Sequence, residues 1–245
     1  MLFFTNEIES NLLGLNVVEI RDFSHTDVEV VLEFEKSLSE PTYVFSKIIL
    51  DDIPSVNVLE RIGYEVVEVQ INSKSRLTVP VFNDSYNSKY SYTKLVDQSD
   101  LDFITDYARH TLAIDRFSKD RKIAPEKSSN RIVQLLEKSF YDDDEEIWIL
   151  RYAETSEILS FRSHRRLDLE NCRLLLGSIS PRFLNIGIGE ISWYFARQEL
   201  IRQKYKNAHT TISAANTSVF NLEIGSQGFR VQNTVLVCRK FLNLS

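Results

Sequence analysis

The chain has 245 residues, 43% hydrophobic and 26% charged, enough to bury a core in one large domain or two modest ones and too apolar for a disordered tail. Its 29 basic residues against 35 acidic ones give a net charge of −6, which argues against generic nucleic-acid binding while leaving room for a local basic groove. Cys172 and Cys238 lack metal-type spacing, no apolar run approaches the roughly 18 residues of a membrane span, and the opening residues lack a basic n-region. The expectation is a cytoplasmic protein with no disulfide framework, no metal, no membrane span and no secretory signal.

In chain order, residues 17–20 and 28–34 read as strands. Residues 55–63 read as a short helix with Ser55 as N-cap and Gly63 just past its end. Residues 64–70 alternate and read as a strand, so 1–75 forms a small α/β unit. The polar stretch 73–100, with turn formers from Phe82 to Tyr92, reads as a connection between two units. Its tyrosines would alternatively line a ligand cleft. A helix capped by Ser99 runs over 100–113, with Leu101, Ile104, Ala108 and Leu112 on one face. A second runs over 125–140, with Pro125 in its first turn and Ile132, Leu135, Leu136 and Phe140 buried. The acidic residues 142–146 read as a solvated turn, with metal binding by consecutive carboxylates as the alternative.

Three strands follow, over 147–152, 158–165 and 173–180, the first two joined as a hairpin through Thr155 and Ser156. Gly187-Ile188-Gly189 opens a long helix. A strand over 209–214, a helix over 216–224 and a hairpin-like pair, 229–231 with 235–241, complete the chain. The implied fold class is α/β, an α+β mixed sheet with helices on both faces. The division is a small N-terminal α/β domain with linker over 1–94 and a second domain over 95–245.

Five of the seven glycines lie in the last third, which directs attention to residues 174–189. There a strand runs through Ser180-Pro181 into a glycine turn and then a helix. Exposed amides over Asn185, Ile186, Gly187, Ile188 and Gly189, with the positive end of the helix dipole, suit an anion. A tight turn whose glycines serve packing is the alternative. The two-residue period of the strand puts Arg162, His164 and Arg166 on one face, where arginine forks would meet phosphate oxygens. A charged, solvated strand edge uses the same residues. Arg116 is a further candidate for the substrate, and His209 and His164 are candidate bases by type.

The passage Leu184-Asn185-Ile186-Gly187-Ile188-Gly189 after Pro181 resembles the pyrophosphate-gripping motif of the GNAT superfamily of acyl-CoA-dependent N-acyltransferases, with two departures. Leu184 stands at the Arg/Gln position and Asn185 at a position commonly glycine. Asn216-x-x-Val219-x-x-Leu222-Glu223, followed by Gly228-Phe229 and a final strand, resembles a second part of that pattern. Glu223 occupies the place of the tyrosine that would protonate the leaving thiolate, and one extra residue precedes Gly228. The opening residues 7–17 and Arg116-Phe117-Ser118-x-Asp120 are similar to segments of nucleotide-sugar N-acyltransferases, the group that includes dTDP-fucosamine acetyltransferase.

The resemblance implies a GNAT-like catalytic domain over 95–245. Its cosubstrate would be acyl-CoA, acetyl-CoA or 3-hydroxybutanoyl-CoA, without a metal. The acceptor would be a dTDP-amino sugar carrying a 3-amino or 4-amino group, and the product would serve bacterial surface polysaccharide. It implies that Ser178 and Ile179 contact the pantetheine arm, with the Ile179 N–H facing the thioester oxygen, and that Asn216 joins the coenzyme site. The general acid would be Glu223, another residue or none. Glu223 would serve only if burial raised its pKa well above the ordinary carboxylate value of about 4.3. Partner expectations are CoA, the sugar nucleotide and a homodimer. A GNAT acting on a protein or small-molecule amine, or a non-catalytic CoA-binding module, are the competing readings.

Overall fold

In the computed structural model, residues 1–80, 83–112 and 115–243 are described. The strands are β1 (Leu2–Thr5), β2 (Asn16–Arg21), β3 (Thr42–Ile49), β4 (Glu65–Arg76), β5 (Tyr90–Lys94), β6 (Glu145–Tyr152), β7 (Ile158–Arg166), β8 (Asn171–Ile179), β9 (Asn207–Ser213) and β10 (Arg230–Leu242). The helices are α1 (Glu7–Leu13), α2 (Val28–Ser37), α3 (Ile53–Arg61), α4 (Asp84–Lys89), α5 (Gln98–Thr111), α6 (Arg116–Lys119), α7 (Pro125–Tyr141), α8 (Ile188–Arg202) and α9 (Thr217–Phe220).

The strands form a single mixed sheet ordered β1-β2-β3-β10-β4-β9-β8-β7-β6-β5. One face is covered by α1, α5, α6 and α7. Phe117 of α6 joins Leu13, Tyr43 and Phe45 there, and Leu101, Ile104, Ile132 and Leu136 pack on Ile147, Ile149 and Phe161. The opposite face is covered by α2 and α3 over Val44, Ile48 and Cys238, and by α8 over Cys172 and Ala208.

One passage of topology occurs twice. In β2-α2-β3-α3-β4 and again in β8-α8-β9-α9-β10, a helix connects two parallel strands and a second helix leads to a long antiparallel strand. The long strands are exchanged. β10 lies between β3 and β4, while β4 lies between β10 and β9.

Several expectations are corrected. Residues 28–34 form helix α2, not a strand. Their valines favour a strand locally, but Val31 is buried over the sheet and Phe34, one helical turn on, stacks on Phe3 of β1, while the Ser24 N–H donates to the Asp27 carboxylate (2.9 Å) just ahead. The cap of α3 is Asp52, which accepts from the Ser55 N–H (3.2 Å). The polar stretch 73–100 carries the end of β4, then α4 and β5. Tyr86 packs edge-on to Tyr194 of α8, and Tyr92 stacks on Trp148 and Phe195, so these rings fill an apolar layer beneath α8. Phe82 and Ala113 lie outside the described residues. The hairpin-like pair expected over 229–231 and 235–241 is one strand, β10 (Arg230–Leu242), with a bulge near Val231 and another near Cys238. The helix expected over 216–224 stops at Phe220 and widens into a turn, Asn221–Ser226, in which the Gln227 N–H reaches the Leu222 carbonyl (3.0 Å).

Candidate active site

The geometry starts with a short strand pairing. β8 and β9 are joined only at Asn171, Cys172 and Arg173 with Asn207, Ala208 and His209, and then part. The cause lies in β8. Arg162 pairs with Gly177 and His164 with Leu174, so β8 carries one extra residue at Leu175–Leu176. Such a bulge bends its strand. The Ser163 hydroxyl fastens it, accepting from the Leu176 N–H (3.0 Å) and donating to the Leu176 carbonyl (3.3 Å). Beyond the bulge, Ile179 stands opposite Ser160 in a pair that exchanges no bonds, because the flanking Ser180 N–H bonds Leu159 instead (2.8 Å). The N–H and carbonyl of Ile179 therefore point away from β7 and into the opening.

The open end meets the glycine turn. Asn185 has φ 63 and Gly187 φ 87, so the backbone turns through left-handed conformations twice. Among the described residues, none of the main-chain N–H groups from Leu184 to Gly189 donates to a protein acceptor. α8 starts directly after Gly187 with no side-chain cap, and Leu184 and Ile186 are exposed beside these amides. A Cβ on Gly189 would stand 3.1 Å from Leu222 Cδ2 and 3.6 Å from Ile179 Cδ1. The absence of a side chain there lets β8, α8 and the wide turn after α9 meet.

Glu223 sits in that wide turn. It is 3% exposed, and its Oε2 has no hydrogen-bond partner among the described residues. Burial pushes its pKa up to about 7, against a smaller downward pull from Arg162. Arg162 lies over the Trp193 ring, 4.2 Å from its centroid, and its Nε donates to Ser192 Oγ (3.0 Å). The carboxyl is thus held in a region of low polarity and keeps its proton on about half of the molecules at pH 7.

The remaining candidates are spread over the fold. The Ser178 hydroxyl faces Thr111 at the end of α5 (2.7 Å). Asn216 caps α9, accepting from the Val219 N–H (3.2 Å). His164 lies at the far end of α8, about 22 Å from Gly187 along that helix, with Nε2 3.2 Å from Gln203 Oε1. It lines a cavity of about 330 Å³ shared with Glu146, Arg166 and Tyr205. Burial lowers its pKa. Arg116 is on the opposite sheet face, 8% exposed, over the Phe117 ring and 3.7 Å from Glu68. Its neighbour Asp120 takes a two-pronged bond from Arg239 of β10 (2.5 and 3.0 Å). Arg116-Phe117-Ser118-x-Asp120 therefore ties α6 to the exchanged strands. Sequence reading missed the bulge and Ser163, which carry no motif. It also missed Thr111, whose signal would have been a hydroxyl at a helix end.

Among the described residues, no group of three or more His, Cys, Asp or Glu side chains is placed to hold a metal ion, and no helix is long and apolar enough to cross a membrane.

No family model and no curated protein matches the sequence. Solved structures do match the fold. A GCN5-related N-acetyltransferase from Sphaerobacter thermophilus is 11% identical, with a TM-score of 0.63, over 92% of this chain and 72% of that one. A conserved protein of unknown function from Staphylococcus epidermidis is 12% identical, with a TM-score of 0.65, over 95% of this chain and 88% of that one. A tandem GNAT protein from the clavulanic acid biosynthesis pathway is 8% identical, with a TM-score of 0.58, over 94% of this chain and 76% of that one. The chain has the GNAT fold.

Proposed function

We propose that this protein is an acyl-CoA-dependent N-acyltransferase. Its acceptor is the amino group, at C3 or C4, of a dTDP-linked amino-dideoxy sugar, and the acyl group is acetyl or a short hydroxyacyl such as 3-hydroxybutanoyl. The product would feed bacterial surface polysaccharide. The observation that carries the acyl-transfer reading is the parting of β8 from β9 beside a turn of unpartnered amides. The sugar nucleotide rests on the short segments around residues 7–17 and 116–120.

The residues present fit a coenzyme with a diphosphate. Amides of Asn185, Ile186, Gly187, Ile188 and Gly189 would hold its phosphoryl oxygens at the positive end of α8. With Leu184 at the loop's entrance, main-chain donors rather than a cationic side chain do this work. The bound coenzyme supplies an activated thioester carbonyl. Ile179 directs its N–H into the opening, where it can stabilise negative charge on an acyl oxygen. Glu223, about half protonated at neutral pH, would deliver its proton to the leaving sulfur. A thiol of ordinary pKa, about 8.5, needs only modest help to leave. The β8–β9 opening fixes both reactants against one another, which lowers the entropic part of the barrier.

The test is release of free thiol. The protein is incubated with acetyl-CoA or 3-hydroxybutanoyl-CoA and dTDP-linked 3-amino or 4-amino sugars. Thiol release that requires the sugar supports the reading, and no release with any pair removes it.

A further inference from the structure

Strand register places basic residues in a row. Arg230 of β10 pairs with Lys74 of β4, Lys74 with His209 of β9, His209 with Arg173 of β8, and Arg173 with Arg165 of β7. Directly paired residues point to the same face of a sheet. Cys172 and Ala208, one position away, pack under α8, so this row faces the other side. Beside it runs a neutral polar row in which the Asn72 amide donates to Asn233 Oδ1 (2.7 Å) and the Thr211 hydroxyl to Asn72 Oδ1 (2.7 Å).

The row is poorly neutralised by the chain itself. Arg165 is paired with Glu145 and Asp142. Among the described residues, no carboxylate lies within 4.0 Å of Lys74, Arg173 or Arg230. Arg173 and Arg230 are exposed and Lys74 is half-buried. His209 Nε2 is 3.4 Å from Asn171 Oδ1. Burial lowers its pKa, the charges of Lys74 and Arg173 lower it further, and Asp168 opposes them. Like charges directly opposed across strands are destabilising. In a chain of net charge −6, such a row costs stability unless an anion joins it.

Its position matters as much as its charge. Arg173 and His209 are the last pair before β8 and β9 part. The glycine turn is at the other, open end of the same gap. We infer that Lys74, Arg173 and Arg230, with His209 between them, form a second anion site, built for the diphosphate of the acceptor and separate from the coenzyme turn. The identification of that anion with the acceptor rests on the acyl-transfer reading, whereas the site itself rests on register and charge. Lys74 and Arg173 would donate to phosphoryl oxygens, and His209 would gain a proton as the anion arrives. The neighbouring Asn72 and Thr211 supply neutral donors and acceptors for hydroxyl groups.

The experiment is a titration of the full chain with inorganic pyrophosphate and with dTDP, followed by calorimetry and by the histidine ring signals in NMR. CoA is titrated separately. Wild type is expected to bind both probes saturably, with His209 rising in pKa. The Lys74→Gln/Arg173→Gln double variant is expected to lose roughly tenfold or more of that affinity. Its CoA affinity should stay unchanged, and its unliganded form should melt no lower than wild type, since opposed charges have been removed. No saturable binding, equal binding by the variant, or displacement of the probe by CoA mole for mole each overturns the site. Pyrophosphate binding as tight as dTDP keeps the anion site and excludes recognition of the nucleoside. Failure of CoA to bind while the probes still bind removes the acyl-transfer reading and leaves the anion site standing.

Discussion

Replacing Glu223 with glutamine separates two effects of one buried carboxyl. Its ordinary pKa of 4.5 is raised to about 7 in the fold. That difference is worth about 3 kcal/mol. The folded state holds a proton on Glu223 across the interval in which the unfolded chain has lost it. The stabilisation from this group is therefore complete below 4.5, falls as pH rises from 4.5 to about 7, and is gone above. Glutamine carries no such dependence. Glu223→Gln should match wild type in melting temperature near pH 4.5, exceed it increasingly up to about pH 7, and keep that margin to pH 8. At about 2–4 °C per kcal/mol for a chain of this size, the excess at pH 8 is roughly 6–12 °C. Over the same range the variant should lose acyl transfer, because an amide has no acidic proton to give, and the wild-type rate should decline as the carboxyl ionises near pH 7. Melting curves from pH 4.5 to 8 and initial thiol-release rates measure both. A melting difference that does not change with pH would refute the ionisation argument. A variant that is pH-stabilised yet fully active would refute the assignment of Glu223 as proton donor.

Gly187→Val is expected to weaken CoA binding at least roughly tenfold, because φ 87 costs a β-branched residue about 1–2 kcal/mol and a relaxed turn no longer aims its amides. Nothing lies within 4 Å of a Cβ there, so Gly187→Asn, which tolerates that backbone, should retain much of the affinity by calorimetry. Asp120→Asn strips the buried Arg239 of its two-pronged partner and should cost about 3–5 kcal/mol in urea unfolding. A loss under about 1 kcal/mol would show that Arg239 finds enough in Glu65, 3.0 Å away. Ser163→Ala frees the bulge of β8 from its side-chain fastener. The rate should fall more than CoA affinity, measured by steady-state kinetics against calorimetry.

Legibility followed the range of the interactions involved. Helix α7 announces itself through Pro125 and the spacing of Ile132 and Leu136, and the β6–β7 hairpin through the turn residues at 155–156. The glycine turn was legible because positive φ at Gly187 selects glycine. Helix α2 was not, since its valines favour a strand and only the sheet beneath Val31 decides otherwise. β3 passed unnoticed because a strand buried on both faces has no alternation to detect. Glu223 could be named from its place in a pattern. Its raised pKa needed the fold, because desolvation comes from distant segments brought around it. The basic row was beyond sequence reading altogether. Lys74, Arg173, His209 and Arg230 share no local pattern and are aligned solely by the register of β4, β8, β9 and β10.

The doubled topology explains why only one half of the sheet carries a candidate site. Both halves connect a parallel strand pair through a helix, yet β2 and β3 stay paired from Asn16 with Thr42 through Ile20 with Ser46. The Ser46 hydroxyl bonds the Ile20 carbonyl (2.8 Å) and closes that seam further. The turn ahead of α2 satisfies its Ser24 N–H with Asp27, whose carboxylate would repel a phosphate. In the second half a single extra residue in β8 bends the strand away from β9, and the turn ahead of α8 keeps its amides free. The exchange of β4 and β10 then matters for function as well as cohesion. β4, from the first half, brings Lys74 and Asn72 beside β9, and β10, from the second, brings Arg230 and Asn233 next to them. The closed half thus supplies part of the basic and amide rows beside the open half's gap, and the two halves together, rather than either alone, build the face on which the proposed anionic acceptor would sit.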